Sequence, residues 1–376
     1  MTDLRVMVVM PLAEQLGGGE VMFRQLMQHG RGQGIEWIAV FTKDGPMVAE
    51  TRALGVETHV VEAGRIRELW RRWQAIRRIA SLARERQVSL VFGWMAASQL
   101  LAGPAAWIAD IPAAWYQVGL PEPDWIDRFA TFCRARGILV LSKDVATAQA
   151  RVAPRREQRL IYPGASLERF DAVRGESPRA LREQLGLPVD GPLIGIVGRL
   201  QRWKGMHTVI SALPAVHYTH PDAKVVVVGG SHNTEPSYGE ELRALADVRG
   251  VGDAVHFAGF QADVPRWMQA MDIVVHASDR EPFGIVVVEA MALGKPVIAG
   301  ALGGPAEVLG DGEHGQLVAF EDDAAMSRAI MRYLDDPEFA TRCGAAAAIR
   351  ARDFTAEHYA QQATAAILEF ALGENP

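Results

Sequence analysis

The feature that most constrains this chain is an alternation. Short apolar runs rich in Val, Ile and Leu recur along it, separated by longer stretches whose apolar residues fall at helical spacing. Continuous apolar runs suit strands buried on both faces, and intervening helices are the crossovers that parallel strands require. The alternation persists over 376 residues, more than one core accommodates, so it divides into two domains. The expected fold class is α/β, with two parallel-sheet domains facing across a cleft.

In the first half, Val6–Met10, Trp37–Phe41, Glu57–Val61, Leu90–Phe92, Ala113–Gln117 and Gly137–Leu141 read as strands. Glu20–His29 reads as a helix, and Ser142 as the N-cap of a helix over Ala146–Arg151. From Arg155 to Pro192 the rhythm fails. Pro154, Pro163, Gly164, Pro178, Pro188 and Pro192 interrupt it, which places an inter-domain linker there. Strands resume at Leu193–Val197, Val225–Val228, His256–Ala258, Ile273–His276 and Pro296–Ala299, followed by a helix near Ala324–Leu334. Thr355–Leu372 reads as one long helix with a packing face of Tyr359, Ile367 and Phe370. The expected domains are 1–185, 186–354 and a C-terminal helix, 355–376, packing back toward the first domain.

Composition narrows the functional classes. Apolar residues make up 49% and charged residues 22%, as in soluble enzymes. Cys133 and Cys343 form no Cys-x-x-Cys pair, so neither a zinc site nor a disulfide framework is expected, and a reducing cytoplasm fits. The first apolar run stops at Pro11, short of a signal-peptide core, and no run reaches the roughly 18 to 20 residues of a membrane span. The net charge of −6 is uneven: residues 1–185 hold 25 Lys and Arg against 20 Asp and Glu, and the remainder 14 against 25. That asymmetry is either chance or the footprint of an anionic partner of the first domain. Nucleic acid is not expected, since no basic–aromatic motif, zinc finger or helix-turn-helix pattern is present.

Ligands of parallel α/β sheets bind beyond the carboxyl ends of strands, so chemistry is sought in the loops that follow them. Four such loops stand out in the second half. Gly198-Arg199-Leu200-Gln201-Arg202-Trp203-Lys204-Gly205 offers a turning glycine and two cations, Arg199 and Lys204, suited to a diphosphate that gains charge as it departs. Gly229-Gly230 permits close approach of a flat ligand such as a base. In Glu281-Pro-Phe-Gly-Ile-Val-Val-Val-Glu289 a helix is expected to start at Gly284 and end at Gly294. The N–H groups of Gly284, Ile285 and Val286 would make an anion site. Glu289, one turn beyond Ile285 on an apolar face, needs hydroxyl partners such as a ribose diol. Glu281 precedes the helix, within reach of a sugar hydroxyl. The fourth loop, Gly303-Gly304-Pro305-Ala306-Glu307, closes the wall, with Pro305 at a helix start.

This constellation resembles retaining glycosyltransferase family 4, whose fold is the two-domain, Rossmann-like GT-B arrangement. The resemblance rests on Glu281 and Glu289 at Glu-x7-Glu spacing, on Arg199 and Lys204, and on Gly303, Gly304 and Glu307. It implies that Arg199 and Lys204 hold the donor diphosphate and stabilise the leaving nucleotide. Glu281, with the amides of Phe283 and Gly284, would position the transferred sugar, and Glu289 would bind the ribose. No divalent metal is implied. Leu16-Gly17-Gly18-Gly19-Glu20 resembles the family's glycine loop, in which a backbone amide, here of Gly18 or Gly19, approaches the donor phosphate. Many members carry a histidine after the strand that here ends at Gln117; this chain has Gln117 or Val118 instead. Trp115, Tyr116 and Gln117 are the acceptor- or sugar-side candidates.

The expected activity is transfer of a hexosyl group from a nucleotide diphosphate-sugar to a hydroxyl acceptor with retention, with UDP favoured over GDP as the donor nucleotide. Nucleotide-sugar 2-epimerases and a non-catalytic partner subunit share the architecture and remain alternatives. Residues 65–86 interleave arginines with Ile66, Leu69, Trp70, Trp73 and Ile76 at helical spacing. This is either a core-facing helix with a solvated basic back, or a contact for anionic lipid or an anionic acceptor at the inner face of the membrane.

Overall fold

The computed structural model describes residues 4–15, 17–121, 125–153 and 155–373. Leu16 and Pro154, cited above, lie outside the described residues. The chain forms two compact units: one of residues up to Gly164 together with those from Ala356 onward, the other Ala165–Thr355.

The first unit begins β1 (Leu4–Met10), α1 (Gly18–His29), β2 (Ile35–Phe41), α2 (Pro46–Ala53) and β3 (Glu57–Val60). It continues α3 (Leu69–Glu85), β4 (Leu90–Trp94), α4 (Met95–Ala109), β5 (Ala113–Gln117) and α5 (Trp125–Phe132). It then runs β6 (Ile138–Val140), α6 (Lys143–Val152) and β7 (Gln158–Leu160). The seven strands pair in parallel in the order β3-β2-β1-β4-β5-β6-β7. Val6–Met10 of β1 are wholly buried, as a central strand between two helix layers demands. Ser142 accepts a hydrogen bond from the Val145 amide and caps α6.

The second unit opens with α7 (Glu168–Asp171), α8 (Pro178–Leu185), β8 (Leu193–Val197), α9 (Met206–His217), β9 (Lys224–Val228) and α10 (Tyr238–Val248). Next come β10 (Val255–Gly259), α11 (Val264–Ala270), β11 (Ile273–His276), α12 (Ile285–Ala292) and β12 (Val297–Gly300). It closes with α13 (Gly304–Val308), β13 (Gln316–Val318), α14 (Asp323–Asp335) and α15 (Pro337–Arg350). The order β10-β9-β8-β11-β12-β13 is again fully parallel. In both sheets the order reverses after the first-formed strand, so β1/β4 and β8/β11 flank the switch point where a ligand fits. A final helix, α16 (Ala356–Leu372), belongs to the first unit and packs on α1, and its Tyr359, Ala363, Ile367 and Phe370 are buried.

The expected boundary at 185/186 is corrected to 164/165. The stretch taken for a linker carries β7, α7 and α8. Its prolines and glycines punctuate elements: Pro178 starts α8 behind the cap Ser177, and Gly186, left-handed at φ 67°, ends it. Arg182 of α8 binds α8 into the second unit. It is 5% exposed, pairs with Asp272 at 2.6 Å and donates to the Ala270 and Gly191 carbonyls.

Candidate active site

In the second unit the four loops singled out from the sequence converge at the carboxyl edge of the sheet. The ends of β8 and β9 are joined backbone to backbone, since the Gly198 amide donates to Val228 O at 2.9 Å and the Leu200 amide to Gly230 O at 2.9 Å. A Cβ on Gly229 would lie 1.7 Å from Gly198 O, so only glycine permits this approach. The Asp279 amide donates to Trp203 O, tying the loop after β8 to the loop after β11. The Gly304 amide donates to Glu281 O at 2.9 Å, and Gly303, at φ 79°, leaves 2.3 Å between its ideal Cβ and that same oxygen. Gly303 and Gly304 therefore brace the backbone that presents Glu281.

Within this frame Lys204 and Glu281 form an ion pair, with side chains only 14% and 17% exposed. Lys204 Nζ also lies 4.0 Å from the centre of the Trp203 ring, a cation–π contact. Burial alone would push the Glu281 carboxyl up. His276 and Lys204 outweigh it and hold the group down at about 2, so it is a carboxylate at any physiological pH. Arg199 turns elsewhere, with Nη1 3.3 Å from His232 Nε2 on the loop after β9. The two cations thus reach different walls of one site.

Helix α12 starts at Ile285 behind Gly284, which is left-handed at φ 92°, and ends before Gly294, left-handed at φ 72°. The amides of Ile285 and Val286 are first-turn groups with no acceptor inside the helix. Phe283 is buried against Phe354, so its contribution to a ligand is its backbone. Glu289 lies one turn in. Burial pushes its carboxyl up to about 7, against an opposing pull from Arg169. No hydrogen-bond partner within the protein serves Glu289 among the described residues, and its side chain is part-exposed, so its carboxylate is open to a donor from solvent or ligand. A 620 Å³ cavity lies beside these loops, lined in part by Leu200, Gly230, Gly239, Arg243, Phe257 and Phe260. Among the described residues, no cluster of three or more His, Cys, Asp or Glu side chains is arranged to hold a metal ion.

In the first unit the candidates divide. Gly19 is buried at the start of α1; its carbonyl accepts from the Trp94 indole at 3.1 Å, and a Cβ there would meet Met95 and Val118 within 2.8 Å. Gly18 is exposed with open space around it. Gln117 is 5% exposed and donates to Asp127 Oδ1 at 3.2 Å, while its own Oε1 is buried without a partner. Trp115 and Tyr116 are corrected. They are 1% and 0% exposed, and the Tyr116 hydroxyl donates to Ile161 O, so both are core residues with no face to offer an acceptor. The strand's buried alternation took them inward, as it does in any central strand.

Three participants escaped sequence reasoning. His276, Trp203 and Arg169 read as a strand end, a loop aromatic and a linker charge. The adjacency of His276 to Glu281 was the available signal, five residues upstream within the same strand-to-helix turn.

Comparison with known proteins agrees with this geometry. Residues 178–350 match the family described as glycosyl transferases group 1, and residues 16–169 match Glycosyltransferase Family 4. A D-inositol 3-phosphate glycosyltransferase of Streptomyces avermitilis is 34% identical over 208 residues, 54% of this chain and 44% of that protein. One from Acidothermus cellulolyticus is 40% identical over 186 residues, 47% and 40% of the respective chains. The chain thus spans under half the length of these two curated relatives. Anabaena Alr3699/HepE in complex with UDP superposes with a TM-score of 0.85 at 23% identity, over 97% of this chain and all of that one. A glycosyltransferase from Rickettsia africae gives 0.86 at 18% identity over the whole of both chains. These likenesses show the fold.

Proposed function

Because the chain belongs to the glycosyltransferases of GT-B fold, with a family 4 first half and a group 1 second half, we propose that it transfers a hexosyl group from a UDP-sugar to a hydroxyl acceptor with retention. The observation that carries this reading is the pairing of two unlike glutamates at one switch point. Glu281 is held ionised beside a lysine, and Glu289 is set in a helix and lacks a donor. A ribose diol supplies two hydroxyls to Glu289, and the diphosphate meets Lys204, Arg199 and the α12 amides. UDP is favoured because a protein of similar fold binds it.

In this reading Glu281 is a positioning group: its Oε2 is bonded to Lys204, and its backbone is braced by Gly303 and Gly304. No protein nucleophile is then required, and transfer proceeds on one face of the sugar. The bond from the anomeric carbon to the diphosphate oxygen breaks, and its electron pair stays on that oxygen, opposed by Lys204 and Arg199. The acceptor oxygen bonds to the carbon from the same side, and its proton passes to the departing phosphate oxygen. NMR of the first-formed product is expected to show the donor's anomeric configuration; an inverted product overturns the reading. A thermal-shift screen of UDP, GDP, ADP and TDP is expected to rank UDP first.

A second element concerns the partner. The buried residues of α3 are Ala75, Ile79, Ala80, Leu82 and Ala83, which leaves its first turn unpacked. Ile66, Leu69, Trp70 and Trp73 are 42%, 76%, 70% and 45% exposed among Arg65, Arg67, Arg71 and Arg72. No helix among the described residues is long and apolar enough to cross a membrane. Aromatic side chains set among arginines fit the boundary of an anionic bilayer, so we place the enzyme peripherally at the inner face of a membrane. Co-sedimentation with phosphatidylglycerol vesicles, and not with phosphatidylcholine vesicles, is the expected result.

A further inference from the structure

We infer that His276 is a positioning residue that takes over Glu281 when Lys204 turns to the donor diphosphate. The inference rests on the proposed reading that Lys204 serves the diphosphate and Glu281 the sugar.

His276 ends β11, its side chain 2% exposed at the switch point of the second sheet. Its Nε2 stands 3.6 Å from Glu281 Oε2 and 3.4 Å from Ser278 Oγ. Its Nδ1 is buried with no partner. A proton on Nδ1 would be an N–H shut away from any acceptor, whereas a bare lone pair there costs less. The ring proton therefore sits on Nε2, aimed at Glu281 and Ser278. At 3.6 Å the contact with Glu281 is stretched and weak, longer than a normal hydrogen bond. Lys204 holds the same oxygen, Oε2, and His276 waits behind it.

The handover follows from charge. A lysine matched to its own carboxylate presents little field to an incoming anion. To oppose the diphosphate, Lys204 must share or release its bond to Oε2. A deeply set carboxylate left without a donor is costly, and that cost would be subtracted from nucleotide binding. A short movement of the Glu281 carboxylate brings Oε2 within hydrogen-bond distance of His276 Nε2. Oε1, which has no hydrogen-bond partner among the described residues, then faces the sugar. His276 touches neither nucleotide nor sugar and acts only through Glu281.

The test uses the full chain and isothermal titration with whichever of UDP, GDP, ADP or TDP raises its melting temperature most. His276→Met keeps the volume and removes the donor; it is expected to weaken nucleotide binding by about tenfold to a hundredfold. His276→Gln restores an amide donor near the Nε2 position and is expected to bind within about threefold of the parent protein. In a Glu281→Gln background, where no charge needs a partner, His276→Met is expected to change nothing further. Binding by His276→Met within twofold of the parent protein overturns the inference. So does equal loss in the Met and Gln variants, or full additivity with Glu281→Gln. Should His276→Met fail to fold, nitrogen-15 NMR of the parent protein decides: the His276 ring must carry its proton on Nε2, and that resonance must shift when nucleotide binds. An unmoved ring resonance overturns the inference. If none of the four nucleotides binds, the donor reading itself has failed, which a handover failure in the variants does not imply.

Discussion

The two units share a strand order and differ in how their carboxyl edges are built. In the second unit the loops after β8, β9, β11 and β12 are hydrogen-bonded to one another through backbone, with glycines where the backbones touch. In the first unit the loops after β1 and β2 also meet through backbone, with the Met47 amide on Ala13 O and Gly45 at the close approach, whereas the edge beyond β4 and β5 is carried by side chains: Trp94 on Gly19, Gln117 on Asp127, Val118 against the glycine loop. Backbone scaffolds fix a site for a constant ligand. Side-chain scaffolds can be re-cut for a variable one. Under the proposed function the constant ligand is the nucleotide diphosphate and the variable one the acceptor.

The largest expected effect tests that division directly. Lys204→Met and Glu281→Gln are expected to lower the rate of nucleotide release from UDP-glucose by about a hundredfold to a thousandfold, the loss typical of a group opposing transition-state charge. Gln117→Ala is expected to change it by less than about fivefold. Comparable losses in both units would erase the distinction between a donor edge and an acceptor edge.

Next comes Glu289. The folded chain keeps its proton up to about pH 7, whereas an ordinary glutamate releases it near 4.5. Between those values the folded state binds more protons, so stability falls as pH rises through the window and the cost is complete above it. That cost is at most about 3 kcal/mol. Glu289→Gln is therefore expected to melt higher than the parent protein at pH 8 without ligand. It is also expected to bind UDP about tenfold more weakly. The parent protein should lose UDP affinity as pH drops below about 7, and the Gln variant should not; a flat titration in both removes Glu289 from the ribose. Glu281 behaves oppositely. Its carboxyl is held at about 2, so its stabilisation is present above 4.5 and disappears as pH falls toward 2.

Smaller effects sharpen the scaffold comparison. Gly303→Ala places a methyl 2.3 Å from Glu281 O at a positive φ and is expected to cost about 1–3 kcal/mol in denaturant unfolding. Gly18→Ala enters open space and is expected to cost under about 0.5 kcal/mol. Smallest of all, Trp70→Ser should leave stability within about 0.5 kcal/mol, because the ring is 70% exposed. A large loss there would return α3's first turn to the core.

Much of the second unit was legible from sequence because its site is made of turns. Gly284 and Gly294 bracket α12 in left-handed conformations that few other residues adopt, and Glu289 sits on an otherwise apolar helix. What escaped was set by packing. Pro178 and Gly186 look like a broken linker until Arg182 is seen bound to Asp272. Trp115 and Tyr116 have the chemistry of a sugar platform, and only burial shows that their rings are spent on the core. The apolar residues at the start of α3 follow the same helical period as the buried ones after them, so periodicity could not tell which of them lacked a partner.

The placement of α16 bears on the order in which the protein can mature. Its Phe370 fills the space that Gly137 leaves bare, where an added Cβ would come within 2.2 Å of the ring, and Arg136 donates to the Phe370 and Ala371 carbonyls. During synthesis the sheet of the first unit emerges early, but this wall is translated only after all of Ala165–Thr355. The second unit is contiguous and can close while the ribosome is still at work. The first cannot cover the apolar face of α1 until α16 has followed, so the unit begun before Ala165 is completed only after the one that begins there.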